Sequence, residues 1–145
     1  MAGRLRQKTL PRQWLFTDPV RTPDPVAIAR RLPRGTGVVF RHFGAADRLA
    51  VGRALGAVAR RRGLLLLVGA DPDLARTLRA DGVHWPERLM HTARRRGTDT
   101  AAVHSQAALR RAARLPLRAV FLSPIAQSDS PSAGAALGLE RAGRW

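Results

Sequence analysis

The chain has 145 residues, 45% of them hydrophobic, and a formal net charge of +16, which is the length of one domain with an apolar core. No run of about 18 apolar residues occurs, so there is no candidate transmembrane helix, and the lack of cysteine removes disulfides, thiolate metal sites and a cysteine nucleophile. Apart from Lys8 the positive charge is all arginine, spread along the chain; with no tyrosine, a base-stacking surface and a nucleic-acid partner are not expected.

In chain order, residues 1–9 form a basic arm. Only the short apolar stretch Trp14–Phe16 follows it, which is not the pattern of a secretory signal, and the expected setting is the cytoplasm. Short β-type runs then alternate with longer stretches of Ala, Leu and Arg. The runs are Trp14–Phe16, Gly37–Arg41, Leu64–Val68, Gly82–His84, Thr100–Val103 and Ala119–Leu122, recurring at roughly twenty-residue spacing as βα units do. They are near-continuously apolar, as expected for parallel strands covered by helices.

The intervening helices have legible edges. Asp24-Pro25 and Asp71-Pro72 each set an N-cap acid before a proline at the first helical position. Residues 45–62 carry Leu49, Val51, Leu55 and Val58 among arginines, an amphipathic pattern that Gly63 ends. Pro86-Glu87 opens a further helix containing His91, and Ser105 caps one over Gln106–Arg114. The clusters Arg60 to Arg62, Arg94 to Arg96 and Arg110-Arg111 fall at or near helix ends, where they suit solvated faces and the C-terminal dipole. After Leu122 the composition turns to Ser, Ala, Gly and Pro, a loop, and residues 139–145 read as a tail. The fold class expected is α/β, with barrel-type βα units and about six parallel strands in sequential order. It is an incomplete barrel, because a closed eight-stranded one takes at least ~200 residues.

The strand-end motifs carry a resemblance. Leu15-Phe16-Thr17-Asp18 stands where "Y-L-I-T-D" is usual, and Val39-Phe40-Arg41 where "Q-L-R-E-K" is usual. Asp73-Leu74-Ala75 followed by Ala80-Asp81-Gly82-Val83-His84 has the spacing of "D-L-A … G-A-D-G-V-H-L-G". Val103-His104-Ser105 is similar to "S-x-H-S", and Phe121-Leu122-Ser123-Pro124 with Ser128 and Ser130 to "G-P-V-F-x-T-x-T-K". In this order, over residues 10–138, the motifs resemble the thiamine phosphate synthase/TenI family, and 10–138 is the expected domain. The chain looks like a shortened, divergent member with strands one to six.

The resemblance implies chemistry of two kinds. The synthase ionises a pyrimidine pyrophosphate with help from Mg²⁺ and cationic side chains, and a thiazole phosphate captures the cation. TenI-type members tautomerise a thiazole carboxylate phosphate and carry a histidine at the position of His104. This sequence keeps Arg41 but has Val39, Phe43, Gly69 and Ala70 where the synthase has glutamine, lysine and its Asn-Asp pair. Ala102 and Pro131 replace its serine and last lysine, and Glu87 is the only acid near its fourth-strand carboxylate. Mg²⁺ needs several oxygen ligands, so no metal or other cofactor is expected. The resemblance then assigns His104 as a tautomerase-like proton-transfer residue. It assigns Arg41, His84, Ser123, Ser128 and Ser130 to binding a thiazole phosphate or pyrimidine pyrophosphate. Each has a plainer alternative: a helix-capping or water-binding His104, a buried supporting His84, an Arg41 paired with Asp18, and solvated serines. Exposed edges of strands one and six make a homo-oligomer an expectation. An inactive or truncated remnant, and a basic polyanion-binding protein with salt-dependent affinity, stand as the competing readings.

Overall fold

The computed structural model describes residues 9–94, 97–127 and 135–145. Six strands alternate with helices: β1 (Trp14–Phe16), α1 (Pro25–Ala29), β2 (Gly37–Phe40), α2 (Arg48–Arg62), β3 (Leu65–Gly69), α3 (Pro72–Leu78), β4 (Gly82–Trp85), a 3₁₀ helix (Glu87–Thr92), β5 (Thr100–Val103), α4 (Gln106–Ala112), β6 (Ala119–Leu122) and α5 (Leu139–Ala142). The strand order follows the chain, β1-β2-β3-β4-β5-β6, as expected for incomplete barrel-type βα units. None of the helices of the described residues is long and apolar enough to cross a membrane. The chain divides into two compact units, Met1–Val83 and His84–Trp145.

In the first unit β1, β2 and β3 pair in parallel, with Trp14 opposite Gly37, Gly37 opposite Leu65, and Val39 opposite Leu67. Side chains alternate across a strand, so Val39, Leu65 and Leu67 share one face. That face is a buried cluster against which Trp14 and Phe16 pack. Gly37 is required there: a Cβ would collide with the Trp14 ring, which lies across it. The opposite face, with Phe40 and Leu66, meets α2 where Gly52 and Gly56 permit close approach; a Cβ at Gly52 would come within 2.8 Å of Leu78 and 3.1 Å of Phe40. Both faces are therefore apolar, which is why the strands read as continuous hydrophobic runs. Each fully buried Leu or Val contributes roughly 1.5–3 kcal/mol relative to exposure.

Local signals set the helix edges. The Asp24 carboxylate accepts from Ala27 N–H at 2.9 Å and Asp71 from Leu74 N–H at 2.8 Å, each before a proline at N1. Gly63 closes α2 in the left-handed region, φ 66°, ψ 37°, where a side chain is strained. The helix starts at Arg48 rather than at Ala45, with no side-chain cap from Asp47.

In the second unit the end of β4, from His84 on, pairs in parallel with β5, and β5 with β6, with His84 opposite Thr100 and Val103 opposite Leu122. Ser105 caps α4 by accepting from Ala108 N–H at 3.1 Å. The segment expected as a helix after Pro86 is only six residues of 3₁₀ helix. Thr92 Oγ1 turns back to the Leu89 carbonyl at 2.7 Å, and the chain leaves at Ala93 in an extended conformation, φ −54°, ψ 145°. Buried Asp99 ties this unit together: it accepts from Trp85 Nε1–H at 2.9 Å and from Arg94 N–H at 3.3 Å.

Candidate functional site

Parallel strands put their C-terminal ends on one rim, where βα proteins carry chemistry. In the first unit that rim holds Thr17, Arg41, His42 and residues Gly69 to Asp71. Thr17 is fully buried; its Oγ1 accepts from Arg41 N–H at 3.0 Å and lies 3.0 Å from His42 Nδ1. Arg41 is half-buried: its Nε–H donates to the Thr17 carbonyl at 2.9 Å and its guanidinium lies over the Phe16 ring at 5.6 Å. Burial holds its pKa below the usual value and Asp18 opposes the shift; an arginine stays cationic regardless. Asp18 itself is held below the usual carboxylate range chiefly by the backbone N–H groups of Arg21 and Val20.

The positions where a divalent cation would be expected are filled differently. Phe43 packs against Gly69, so that a Cβ there would be 2.8 Å from its ring. Arg48 lies 5.4 Å from the Phe43 centroid, donates to Asp71 Oδ2 at 2.7 Å and to the Gly69 carbonyl at 3.2 Å. Asp71 Oδ1 is taken by Leu74 N–H. Both Asp71 carboxylate oxygens and the Gly69 carbonyl are thus already met by donors, two of them from the Arg48 guanidinium. Among the described residues no group of three or more His, Cys, Asp or Glu can hold a metal ion. The residues present do not fit Mg²⁺.

The second unit presents a different rim. Glu87, just after β4, accepts from the backbone N–H of His104 at 3.1 Å through Oε2 and from Arg111 at 2.8 Å through Oε1. His104, just after β5, is exposed, and its Nδ1 lies 2.6 Å from the carbonyl of Ser123, just after β6. A carbonyl only accepts, so Nδ1 carries the proton and the Nε2 lone pair remains as a base. The Ser123 carbonyl thus orients the imidazole, while Glu87 holds the His104 backbone. His104 lines a cavity of about 720 Å³, with Pro86, Glu87, Arg88, Met90, His91, Arg111, Arg114 and Leu115.

Of the residues singled out in the sequence, the structure brings together His104 and Ser123, the latter through its carbonyl and not its hydroxyl. His84 is 7% exposed, within β4 and one residue before its C-terminal end, with Nδ1 2.9 Å from Thr100 Oγ1 and its ring edge-on to Phe121. Arg41 belongs to the first unit. Ser128 and Ser130 lie outside the described residues. Sequence reasoning missed Arg88, His91, Arg111 and Arg114. A signal existed: Arg88 and His91 are three apart in a 3₁₀ helix, where such positions eclipse, and Arg111 and Arg114 are three apart as well.

These features define an α/β protein of barrel-type βα units whose candidate chemistry sits at strand C-terminal ends. The profile of the thiamine monophosphate synthase family (TMP-TENI) matches residues 23–145, and the chain belongs to that family. Among solved structures it is similar to a thiamine phosphate pyrophosphorylase from Pyrococcus furiosus, with a TM-score of 0.72 and 24% sequence identity. The alignment covers 94% of this chain and 69% of that one, a likeness that establishes the fold. No curated protein matches the sequence.

Proposed function

We propose that this chain is a divergent, metal-independent member of its family that moves a proton on a small thiazole bearing a phosphate or carboxylate, with His104 as base and acid. The observation that supports the reading is the 2.6 Å contact between His104 Nδ1 and the Ser123 carbonyl. A base held in one tautomer by a fixed acceptor is the arrangement proton transfer needs. In this reading Nε2 removes a ring proton, and the resulting imidazolium, still hydrogen-bonded to the carbonyl, returns it. Arg41 is proposed separately, within the first unit, as an anion-binding residue: its Nε–H is spent on the Thr17 carbonyl, while its remaining N–H groups suit phosphate. Ser123, Ser128 and Ser130 are proposed as hydroxyl donors to the ligand.

The same reading excludes Mg²⁺-dependent coupling of the pyrimidine pyrophosphate and thiazole phosphate, because Arg48 and Phe43 occupy the rim that reaction requires. The test is hydrogen–deuterium exchange at the ring of a thiazole phosphate carboxylate, followed by NMR in D₂O. Wild-type protein is expected to accelerate exchange, and His104→Ala to lose about 10²–10⁴-fold while keeping its fold. No acceleration by wild-type protein, or an undiminished rate in His104→Ala, overturns the proposal and leaves an inactive relative as the better reading. Coupling turnover near the ordinary ~10 s⁻¹ overturns the metal-independent part.

A further inference from the structure

We infer that the groove between the 3₁₀ helix and α4 is a binding site for a phosphate monoester with an apolar body, recognised by Arg88 and Arg114. At about 720 Å³ the cavity is within the ~300–1,000 Å³ of small-molecule sites. Among the described residues of the β4–β5 segment the helical part is a six-residue 3₁₀ helix, and it forms one side of the groove. Pro86, Met90 and Leu115 give it apolar walls, and its lining holds three arginines, Arg88, Arg111 and Arg114, and one carboxylate, Glu87.

That carboxylate is spoken for. Oε1 binds Arg111 and Oε2 binds the His104 N–H, so Glu87 neutralises one guanidinium only. Arg88 and Arg114 are exposed; the Arg114 backbone N–H donates to the Arg111 carbonyl at 3.1 Å, but neither guanidinium has a hydrogen-bond or ion-pair partner among the described residues. Two uncompensated guanidinium groups beside an apolar wall suit a dianion better than a monoanion. A phosphate monoester carries about −1.5 to −2 at neutral pH and three acceptor oxygens, which planar guanidinium forks bind in bidentate fashion. A monocarboxylate leaves one positive charge unmatched, and inorganic phosphate leaves the apolar wall uncovered.

The inference deepens the reading above, since His104 forms part of the same wall, but the phosphate-binding arm stands on Arg88 and Arg114. The test is calorimetric titration of the full chain with phenyl phosphate, alongside benzoate and inorganic phosphate. Phenyl phosphate is expected to bind most tightly, and the Arg88→Ala/Arg114→Ala double variant to weaken it by roughly 10–100-fold, as for loss of charged hydrogen bonds at about 1.4 kcal/mol per factor of ten. A control variant, Arg30→Ala/Arg31→Ala, removes the same charge from the first unit and is expected to leave affinity unchanged. Equal weakening in the control reduces the effect to overall charge and overturns the site, as does binding undiminished in the double variant or absent in wild-type protein. The two readings separate on the same samples. Proton exchange without phenyl phosphate binding sinks this inference alone; binding without exchange sinks the proton-transfer proposal alone.

Discussion

The two strand-end rims of this protein carry similar residue types and use them in opposite ways. In the first unit the rim groups are largely engaged within the chain. Arg48 spans Asp71 and the Gly69 carbonyl, Asp71 also caps α3, and Arg41 is bound to the Thr17 carbonyl. In the second unit one carboxylate, Glu87, serves two donors, and the surplus of arginine is left facing a cavity. The lesson is that a strand-end position confers opportunity, not function. What decides is whether the charges there are already neutralised by their own chain.

Substitutions break or sharpen this contrast. The largest effect is expected in the core under the first rim. Leu67, fully buried in the cluster with Val39 and Leu65, should cost about 2–5 kcal/mol on change to alanine, read from denaturant unfolding. Arg114→Ala, at an exposed position of the second unit, should stay within about 0.5 kcal/mol. Comparable losses at the two sites would erase the distinction.

An intermediate effect separates the two salt bridges. Arg48 and Asp71 are 19% and 32% exposed, whereas Arg111 and Glu87 are 57% and 26% exposed. Removing Arg48 strands an acceptor pair partly shielded from water, and Arg48→Ala should cost about 1–3 kcal/mol. Arg111→Ala should cost about 0–1 kcal/mol, since water replaces the lost partner. Unfolding curves in which Arg111→Ala is the more damaging change would reverse the assignment of structural and functional rims.

The smallest effect is a pH dependence confined to the first unit. His42 is 3% exposed, stacked on Phe40 at 5.1 Å, and its Nε2 is buried without a partner among the described residues. Burial is the main cause that lowers its pKa below 6.5; Asp47 and Asp18 oppose the shift and Arg48 adds to it. The unfolded chain therefore takes up the proton first. The stability that neutral His42 provides is fully present above about pH 6.5 and declines as pH falls from there toward the folded-state value. Denaturation midpoints across this range should slope downward in wild-type protein and flatten in His42→Gln. Identical slopes would remove His42 from the account.

Much of this was legible in the residues. The six strands lie within one or two residues of the apolar runs, because a strand buried on both faces must be apolar throughout. The caps at Asp24, Asp71 and Ser105 and the stop at Gly63 were readable because each is set by one side chain or one backbone conformation. The ordered motifs likewise pointed to the family to which the chain belongs. Long-range partnerships were not readable. Nothing in the local sequence says that Arg48 reaches Asp71, twenty-three residues on, or that Glu87 meets Arg111, twenty-four residues on. The bond between His104 Nδ1 and the Ser123 carbonyl uses a backbone atom that every residue has. Local sequence thus determined the elements and their order, since caps, periods and turn residues act within a few positions. Only the tertiary structure decided which charges neutralise one another and which remain for a ligand, because that depends on distances between strand ends that the chain does not make neighbours.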